Sequence, residues 1–336
     1  MDEDGERSAV HGGMGGLDPT VDTAQNYLRF AEREAAGRSP AYESLARAVA
    51  GDEVVLRFLA SLPTDKRQPN LLFAAARYLL SDVPIADSLR NLVLEDGDPL
   101  RDVMLQRRTQ TNEAARCATL LPALARLPQP LALIEVGASA GLALLPDRYS
   151  YDYDGHRISG LDPVAPTLRC SIEGPVPVPT AVPTVSWRRG LDLNPLDLAS
   201  DVDMQWLECL VWPGQQDRAD RLRAAVAAAR RDPPIVQRGD LVDDLAELVA
   251  EVPREAGTVV VFHSAVLAYV DAGKRAAFAR VVDQLGVHWL SHEAPAILPL
   301  TAGDDGRGFR LVENGSEVLA HTDPHGGWIR WVAGDA

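Results

Sequence analysis

Apolar and polar residues follow two different periods along the chain, and the change comes near residue 128. From about 21 to 127, apolar residues recur at helical spacing, as in NLLFAAARYLL and NEAARCATLLPALARLP, with glycine and proline between the segments. This part shows no strand pattern. The pattern predicts an all-helical amino-terminal lobe over 20–128.

After residue 128, short apolar runs alternate with amphipathic helical segments. Five runs are candidate strands: LALIEVGA, TVSWRRGLDL, PPIVQRGD, TVVVFHS and GVHWLSHEAP. Strands linked by helices favour a mostly parallel sheet with right-handed crossovers. The last stretch, GFRLVENGSEVLAHTDPHGGWIRWV, lacks a helical pattern, and its Asn-Gly pair indicates a hairpin. We therefore expect an α/β domain over 129–336, with an antiparallel ending to the sheet.

Two segments stand apart from this pattern. Residues 147–183 alternate aromatic and polar positions and then become proline-rich, which indicates a β-hairpin insertion between the first and second core strands. Residues 1–19 are acidic and rich in glycine, and we interpret them as a flexible tail without a signal peptide.

Composition narrows the range of partners. The formal net charge of the 336 residues is −15, which disfavours a nucleic-acid partner. The three cysteines are far apart and suit neither a disulfide framework nor a zinc site. No apolar run approaches the roughly 20 residues of a membrane span. We expect a cytoplasmic protein that acts on a small molecule away from membranes; its oligomeric state is left open.

The first predicted strand runs into a turn of small residues that extends from Glu135 through Gly137 and Ser139 to Gly141. In open α/β sheets, ligands bind at the carboxyl ends of the strands, and glycine lets the backbone approach a ligand closely. Ser139 replaces the central glycine of the dinucleotide fingerprint, and the P-loop lysine is absent. A tight packing turn without a ligand is the alternative.

An acidic residue followed by this spacing of glycines resembles the first motif of class I S-adenosylmethionine-dependent methyltransferases. The resemblance implies a Rossmann-like methyltransferase fold. Its sheet has seven strands, five of them parallel, and the last strand is inserted between its neighbours. It also implies that Glu135, Gly137, Ser139 and Gly141 hold the methionine part of S-adenosylmethionine.

The resemblance extends to later strands. An acidic residue after the second strand binds the ribose in such enzymes, which points to Asp192, or to Asp162 if the insertion holds the true second strand. The acidic residue after the third strand, near adenine, is Asp240; an ordinary helix N-cap is the alternative role for it.

The end of the fourth strand presents catalytic residues in such methyltransferases, which here gives His263, Ser264 and Tyr269. A histidine has a pKa near neutrality, so His263 can serve as a general base or orient the methyl acceptor. A partly buried histidine that bonds a neighbouring loop is the alternative.

Further polar residues are candidates for a substrate site or a lid. The fifth strand carries His288, His292 and Glu293. Two histidines on a strand need a third ligand to form a metal site, and nothing in the sequence brings His321, Asp323 or His325 to them, so we predict no metal site. Asn112 and Arg116 precede the first strand on a predicted lid helix, although Arg116 is also three residues from Glu113 and positioned to pair with it. Trp212 is either a ligand contact or part of the core.

Several longer strings, including IEVGASAGLALLPDRYSYDY, WLECLVWP and VHWLSHE, resemble a bacterial family known as domain of unknown function 2332. This resemblance implies a methyltransferase-like fold and no particular substrate. The sequence thus favours S-adenosylmethionine-dependent methylation of a small molecule. A different enzyme on the same scaffold, with or without a metal, and a ligand-sensing module are the alternatives; a nicotinamide oxidoreductase ranks below them.

Overall fold

A computed structural model describes residues 19–297 and 307–334. The described residues divide into two compact units, residues 19–109 with 212–215 and residues 110–211 with 216–297 and 307–334. The predicted tail falls outside the described residues apart from Pro19, which begins the first helix. The units divide at 109/110, whereas the sequence placed the boundary at 128/129.

The first unit is helical. Its described helices are α1 (Pro19–Phe30), α2 (Pro40–Ala50), α3 (Glu53–Ala60), α4 (Pro69–Leu80) and α5 (Ala86–Gln106). Proline at the first position of α2 and α4 suits a helix start, because that position needs no hydrogen-bond donor. No strand occurs among residues 19–109, as the sequence pattern predicts.

Aromatic rings form the centre of the helical unit. Phe73 packs against Tyr27 and Tyr42, with ring centroids 5.9 and 4.9 Å apart. Trp212 packs against Phe30 and Tyr42 at 5.3 and 6.0 Å. The Tyr27–Phe73 and Phe30–Trp212 pairs are edge-to-face, an arrangement that stabilises a core beyond the area it buries, and the two pairs of Tyr42 are tilted.

The second unit is mixed α/β. Its helices are α6 (Arg116–Arg126), α7 (Asp201–Leu210), α8 (Gln216–Ala229), α9 (Leu245–Ala250) and α10 (Ala272–Leu285). Its strands are β1 (Leu131–Val136), β2 (Ser150–Tyr153), β3 (His156–Ile158), β4 (Thr167–Arg169), β5 (Ser171–Ile172), β6 (Val185–Asp192), β7 (Ile235–Arg238), β8 (Thr258–Ser264), β9 (His288–Glu293), β10 (Phe309–Glu313), β11 (Glu317–Thr322) and β12 (Trp328–Trp331).

Among the described residues, the main sheet has nine strands in the order β5-β12-β11-β10-β9-β8-β1-β6-β7. The five strands from β7 to β9 are parallel, and β10, β11 and β12 follow as an antiparallel meander. The predicted seven strands with a final hairpin are therefore too few. The described strands β9, β10, β11 and β12 lie side by side in chain order, which differs from the expected insertion of the last strand between its neighbours.

Strand β1 lies inside the sheet and is buried along its whole length, which explains its unbroken apolar run. Its carboxyl end brings Glu135 opposite Gly190 on β6 and Phe262 on β8. A Cβ built at Gly190 would lie 2.6 Å from the Cβ of Ala138, so the glycine lets the turn after β1 fold closely over the sheet.

The two faces of the sheet carry different side chains. One face, here called the His263 face, carries Val136 and His263 and is covered by α9 and α10 through residues such as Leu248 and Phe278. The opposite face carries Glu135, Ser264 and His292 and is here called the Glu135 face; the alternation along each strand fixes this separation.

The predicted insertion forms a small sheet in the order β3-β2-β4 and also supplies β5 to the main sheet. Tyr149, Tyr151 and Tyr153 are fully or almost fully buried. Their hydroxyls donate to the carbonyls of Leu142, Pro146 and Ala118 at 2.7, 2.5 and 2.6 Å. The alternation of aromatic and polar residues in this segment therefore encodes a buried row of tyrosines.

Candidate functional site

The carboxyl ends of the parallel strands meet around β1. The chain passes from β1 to β6 and β7 on one side and to β8 and β9 on the other, so the strand order reverses between β1 and β8. Such a switch point leaves a crevice for ligands in open α/β sheets. Two non-glycine residues with left-handed backbone lie beside it, Ser139 (φ +54°) and Ala265 (φ +58°). Strained backbone of this kind clusters at functional sites.

The glycine turn is tightly packed. Gly137 and Gly141 have φ values of +72° and +76°. A Cβ at Gly137 would overlap the side chain of Val266, and a Cβ at Gly141 would lie 2.7 Å from Pro234. The turn continues into a 3₁₀ turn at 142–144. Packing and backbone conformation therefore account for both glycines without a ligand.

A segment before α6 holds the turn in place. The Asn112 side chain donates to the Ala138 carbonyl at 3.1 Å and accepts from the Leu142 amide at 2.9 Å. The predicted lid helix is wrong here, because residues 107–113 are not helical and α6 begins only at Arg116. Polar side chains in this segment bond across to the turn, which competes with helix formation.

Asp192 ends β6 beside the turn, whereas Asp162 lies in the insertion and pairs with Arg231. The Asp192 carboxylate accepts from the Ser139 amide at 2.8 Å and from the Asn194 amide at 2.7 Å. Gln110 donates to it at 3.2 Å. Of the two aspartates considered for ribose binding, Asp192 is the one at the carboxyl edge of the parallel strands. Its carboxylate oxygens, however, already accept hydrogen bonds from the protein itself.

Asp240 follows β7 and pairs with Lys274 on α10. Its carboxylate also accepts from the Val242 amide at 2.9 Å. Burial acts to raise the pKa of Asp240, but the hydrogen bond and charge of Lys274 and the amides of Val242 and Asp243 together lower it. Asp240 therefore binds its own loop and a lysine.

Glu135 is 4% exposed, and its Oε2 has no hydrogen-bond partner among the described residues. Burial raises the pKa of Glu135 well above its usual value. The positive charge of Arg116 opposes that rise, and the negative charge of Asp192 adds to it. Burying a carboxyl oxygen without a hydrogen-bond partner costs free energy of folding. Glu135 is therefore a candidate for a position whose hydrogen bonding a ligand completes.

Arg116 begins α6 and is 6% exposed. Its Nε donates to the Pro324 carbonyl at 2.9 Å, and its Nη1 donates to the Ser264 carbonyl at 3.1 Å. The predicted pairing with Glu113 is wrong: no carboxylate of the described residues lies within 4.0 Å of the Arg116 guanidinium.

Glu113 instead pairs with two arginines of α8. Arg218 Nε and Arg221 Nε lie 2.9 and 2.8 Å from its carboxylate oxygens. Burial acts to raise the pKa of Glu113, but the hydrogen bond from Arg221 and the charges of Arg221 and Arg218 lower it to about 2. This ion pair fixes the segment that precedes α6 against α8.

Ser264 and His292 lie side by side on the Glu135 face. The Ser264 hydroxyl is 2.6 Å from His292 Nδ1, and His292 Nε2 is 2.6 Å from the Thr322 hydroxyl. Burial, and then the charge of Arg116, lowers the pKa of His292 well below its usual value. The imidazole is therefore neutral and holds the Ser264 hydroxyl in place.

His263 and Glu293 lie on the opposite face. His263 Nδ1 is 2.8 Å from Glu293 Oε1, which also accepts from the amides of Val266 and Leu267 at 2.8 and 3.0 Å. The His263 ring is fully buried against Phe278, with centroids 5.5 Å apart. The structure thus separates His263 from Ser264, although the two are adjacent in the sequence.

Two further candidates lie away from these clusters. Tyr269 is 64% exposed in the short turn after β8. Trp212 belongs to the core of the helical unit. Within 19–297 and 307–334, no group of three or more His, Cys, Asp or Glu side chains has the arrangement of a metal site.

An open cavity of about 670 Å³ lies beside Ala140, between the loop 195–199 and the residues 233–236. Its arginine, Arg230, already donates to the Leu198 carbonyl at 2.6 Å and to Asp201 at 2.9 Å. The arginine of this cavity is therefore already occupied by the protein itself.

Sequence reasoning missed Thr322 and Val266. Thr322 lies on β11, which β10 separates from β9, and it meets His292 only once the antiparallel meander has folded. Val266 covers Gly137 because Ala265 turns the chain sharply after β8. No local signal marks either residue, since both contacts depend on the folded sheet.

A family model described as an uncharacterized protein conserved in bacteria (DUF2332) matches residues 24–331. The chain belongs to this family. Comparison with curated proteins and with solved structures finds no significant match. Within the described residues, no helix has the length and apolar character that crossing a bilayer requires.

Proposed function

We propose that the chain is an S-adenosylmethionine-dependent methyltransferase that acts on a small molecule and binds its cofactor between the ends of β1 and β8. One observation carries the proposal: at the switch point of the parallel strands, Glu135 is buried with an unpartnered Oε2. A buried acceptor at that place suits an ammonium group of a ligand.

The strand order supports a Rossmann-like methyltransferase fold. Counted along the chain, the parallel strands stand in the order third, second, first, fourth, fifth, as in doubly wound sheets. The antiparallel meander departs from the arrangement expected for class I methyltransferases. Because fold alone does not fix function, the proposal rests on the site.

The residues fit one part of the cofactor better than the other. The methionine part carries an ammonium group, which the unpartnered oxygen of Glu135 can accept. Asp192 and Asp240 fit the nucleoside part poorly, because their oxygens already bind the turn, Asn194 and Lys274. We therefore assign Glu135 to the cofactor and leave both aspartates as residues that shape the loops.

The bound cofactor supplies a methyl group on a sulfonium. The protein's task is then alignment of the acceptor atom, which contributes much of the rate in transfers of this kind. Ser264 suits that role, because its hydroxyl is held by neutral His292 beside the switch point. His263 instead holds Glu293 and through it the backbone of Val266 and Leu267.

A ligand-sensing module without turnover is the second candidate. Val266 fills the space over Gly137, so a ligand that approaches that glycine requires the loop after β8 to move. A loop that moves on binding is a common element of ligand switches. Such a module would bind the same ligand and form no methylated product.

Calorimetric titration with S-adenosylmethionine and S-adenosylhomocysteine tests the proposal. We expect the wild-type protein to bind both, and Glu135→Gln to weaken each by about tenfold or more, because a charge-assisted hydrogen bond is lost. Glu247→Gln, at an exposed position on α9, is the matched control and should bind like wild type. Absence of binding by wild type at millimolar ligand would exclude the proposal.

Substitution of Gly137 is a poor test. Any side chain there meets Val266 and an unfavourable φ, so a loss of binding would follow with or without a cofactor at the turn.

A further inference from the structure

The guanidinium of Arg116 is buried, and its hydrogen bonds go to main-chain carbonyls. Those of Pro324 and Ser264 accept from Nε and Nη1, and no carboxylate of the described residues lies within 4.0 Å. Carbonyls satisfy some of the five donors but cannot neutralise the charge. Removing a charge from water without a counter-ion is expensive.

The charges around Arg116 agree with its hydrogen-bond geometry. Burial lowers the pKa of Arg116, and the surrounding acidic residues, Glu113 first among them, oppose that shift without forming an ion pair with it. Glu113 is committed to Arg218 and Arg221 instead. The position is therefore positively charged and incompletely compensated within the described residues.

The position of the guanidinium is fixed by its surroundings. A Cβ built at Gly326 would overlap the carbonyl of Ala115, so the loop before β12 packs directly on the start of α6. The same loop supplies the Pro324 carbonyl, and the end of β8 supplies that of Ser264. Residues far apart in the sequence thus hold Arg116 in a defined geometry beside the switch point.

We infer that Arg116 binds a carboxylate of a small-molecule ligand at the switch point between β1 and β8. The planar guanidinium matches a carboxylate with two parallel hydrogen bonds, which a lysine does not reproduce. The inference deepens the proposed function and rests on it. The carboxylate belongs either to the methionine part of the cofactor or to the methyl acceptor, which would then be a carboxylic acid.

Two ligand pairs distinguish these sources. S-adenosylhomocysteine and its decarboxylated analogue, S-adenosyl-3-thiopropylamine, differ only in the carboxylate of the methionine part. Propionate carries a carboxylate, and propionamide has a neutral carboxamide of similar shape in its place. Titration calorimetry measures the first pair, and the shift of the melting temperature measures the second at tens of millimolar.

The variants are Arg116→Met, Arg116→Lys and, as a matched control on the same helix, Arg126→Met at an exposed position. If the carboxylate belongs to the cofactor, Arg116→Met should weaken the binding of S-adenosylhomocysteine by about tenfold to a hundredfold. The loss of affinity should be smaller in Arg116→Lys. The decarboxylated analogue should bind all variants alike. Arg116→Lys keeps the charge and covers the case in which the methionine variant does not fold.

If the carboxylate belongs instead to the methyl acceptor, we expect a different result. S-adenosylhomocysteine should then bind every variant alike, while propionate but not propionamide raises the melting temperature of wild type and of Arg126→Met, and not of Arg116→Met. The inference is overturned if wild type shows no preference for the carboxylate in either pair, or if Arg116→Met and Arg116→Lys keep that preference in full. If the adenosyl compounds do not bind but the propionate effect depends on Arg116, the proposed methyl transfer fails and the carboxylate site stands.

Discussion

Two arginines of the α/β unit, the buried Arg116 and the partly buried Arg188, have opposite surroundings. Arg188 on β6 donates to both oxygens of Asp147 at 2.8 and 2.7 Å and to the Leu144 carbonyl at 2.9 Å. Arg116 donates to two main-chain carbonyls, and Glu135 acts on it only as a charge at a distance. The first pair is complete within the fold. Arg116 and Glu135 instead keep hydrogen-bonding capacity that the fold does not use, at the place where such sheets bind ligands.

The largest expected effect comes from breaking the complete pair. Asp147→Asn leaves the Arg188 charge largely buried without its partner, and we expect the free energy of unfolding to fall by about 3–5 kcal/mol in chemical denaturation. Asp232→Asn removes the exposed partner of Arg148 and should cost less than about 1 kcal/mol. Equal effects of the two changes would show that the Arg188 pair does not stabilise the fold as described.

Glu113 gives the next largest effect. Its pKa is lowered to about 2, so its contribution is present above the ordinary glutamate pKa and is lost as the pH falls toward 2. Glu113→Gln should cost roughly 3 kcal/mol at neutral pH and flatten the loss of stability between about pH 4.5 and 2. Glu208→Gln, at an exposed pair with Arg223, is the control. An unchanged acid limb in Glu113→Gln would refute the assignment.

His263 tests the separation of the two faces. His263→Gln disturbs the contact with Glu293 and should lower the free energy of unfolding by about 1–3 kcal/mol. Because His263 points away from Glu135, the affinity for S-adenosylhomocysteine should not change. A variant that unfolds like wild type but loses affinity or turnover would return His263 to the role of a catalytic base.

Glu135 should show an effect of the opposite sign. Its pKa is raised by burial, so the folded state holds a proton more tightly than the unfolded state, and stability falls as the pH rises above the ordinary glutamate value. Glu135→Gln removes this slope, at most about 1.4 kcal/mol per pH unit, and should equal or exceed wild type in stability at neutral pH. A loss of more than about 1 kcal/mol at neutral pH would mean that the carboxyl has a partner in the fold.

Much of the sheet could be predicted from the sequence. The run TVVVFHS coincides with β8, and the other four parallel strands lie within their predicted runs. Continuous apolar runs between helices mark strands that are covered on both faces, and that signal is local. The three-strand meander was harder to predict, because only the Asn314–Gly315 turn is a strong local signal.

The site could be predicted only in outline. The sequence placed Glu135 and Ser264 near one edge because strand ends meet there. It could not show that Arg116 binds the carbonyls of Ser264 and Pro324, which are 148 and 208 residues away. It also misjudged residues 107–113, because the helical pattern of the neighbouring residues gave no sign that Asn112 binds the turn.

A crystal structure of the protein with S-adenosylhomocysteine tests the central claim most directly. We predict that the amino-acid part of the ligand lies between β1 and β8, with its ammonium group on Glu135 Oε2. A ligand bound elsewhere, or one whose ammonium group leaves Glu135 unpartnered, would contradict the account.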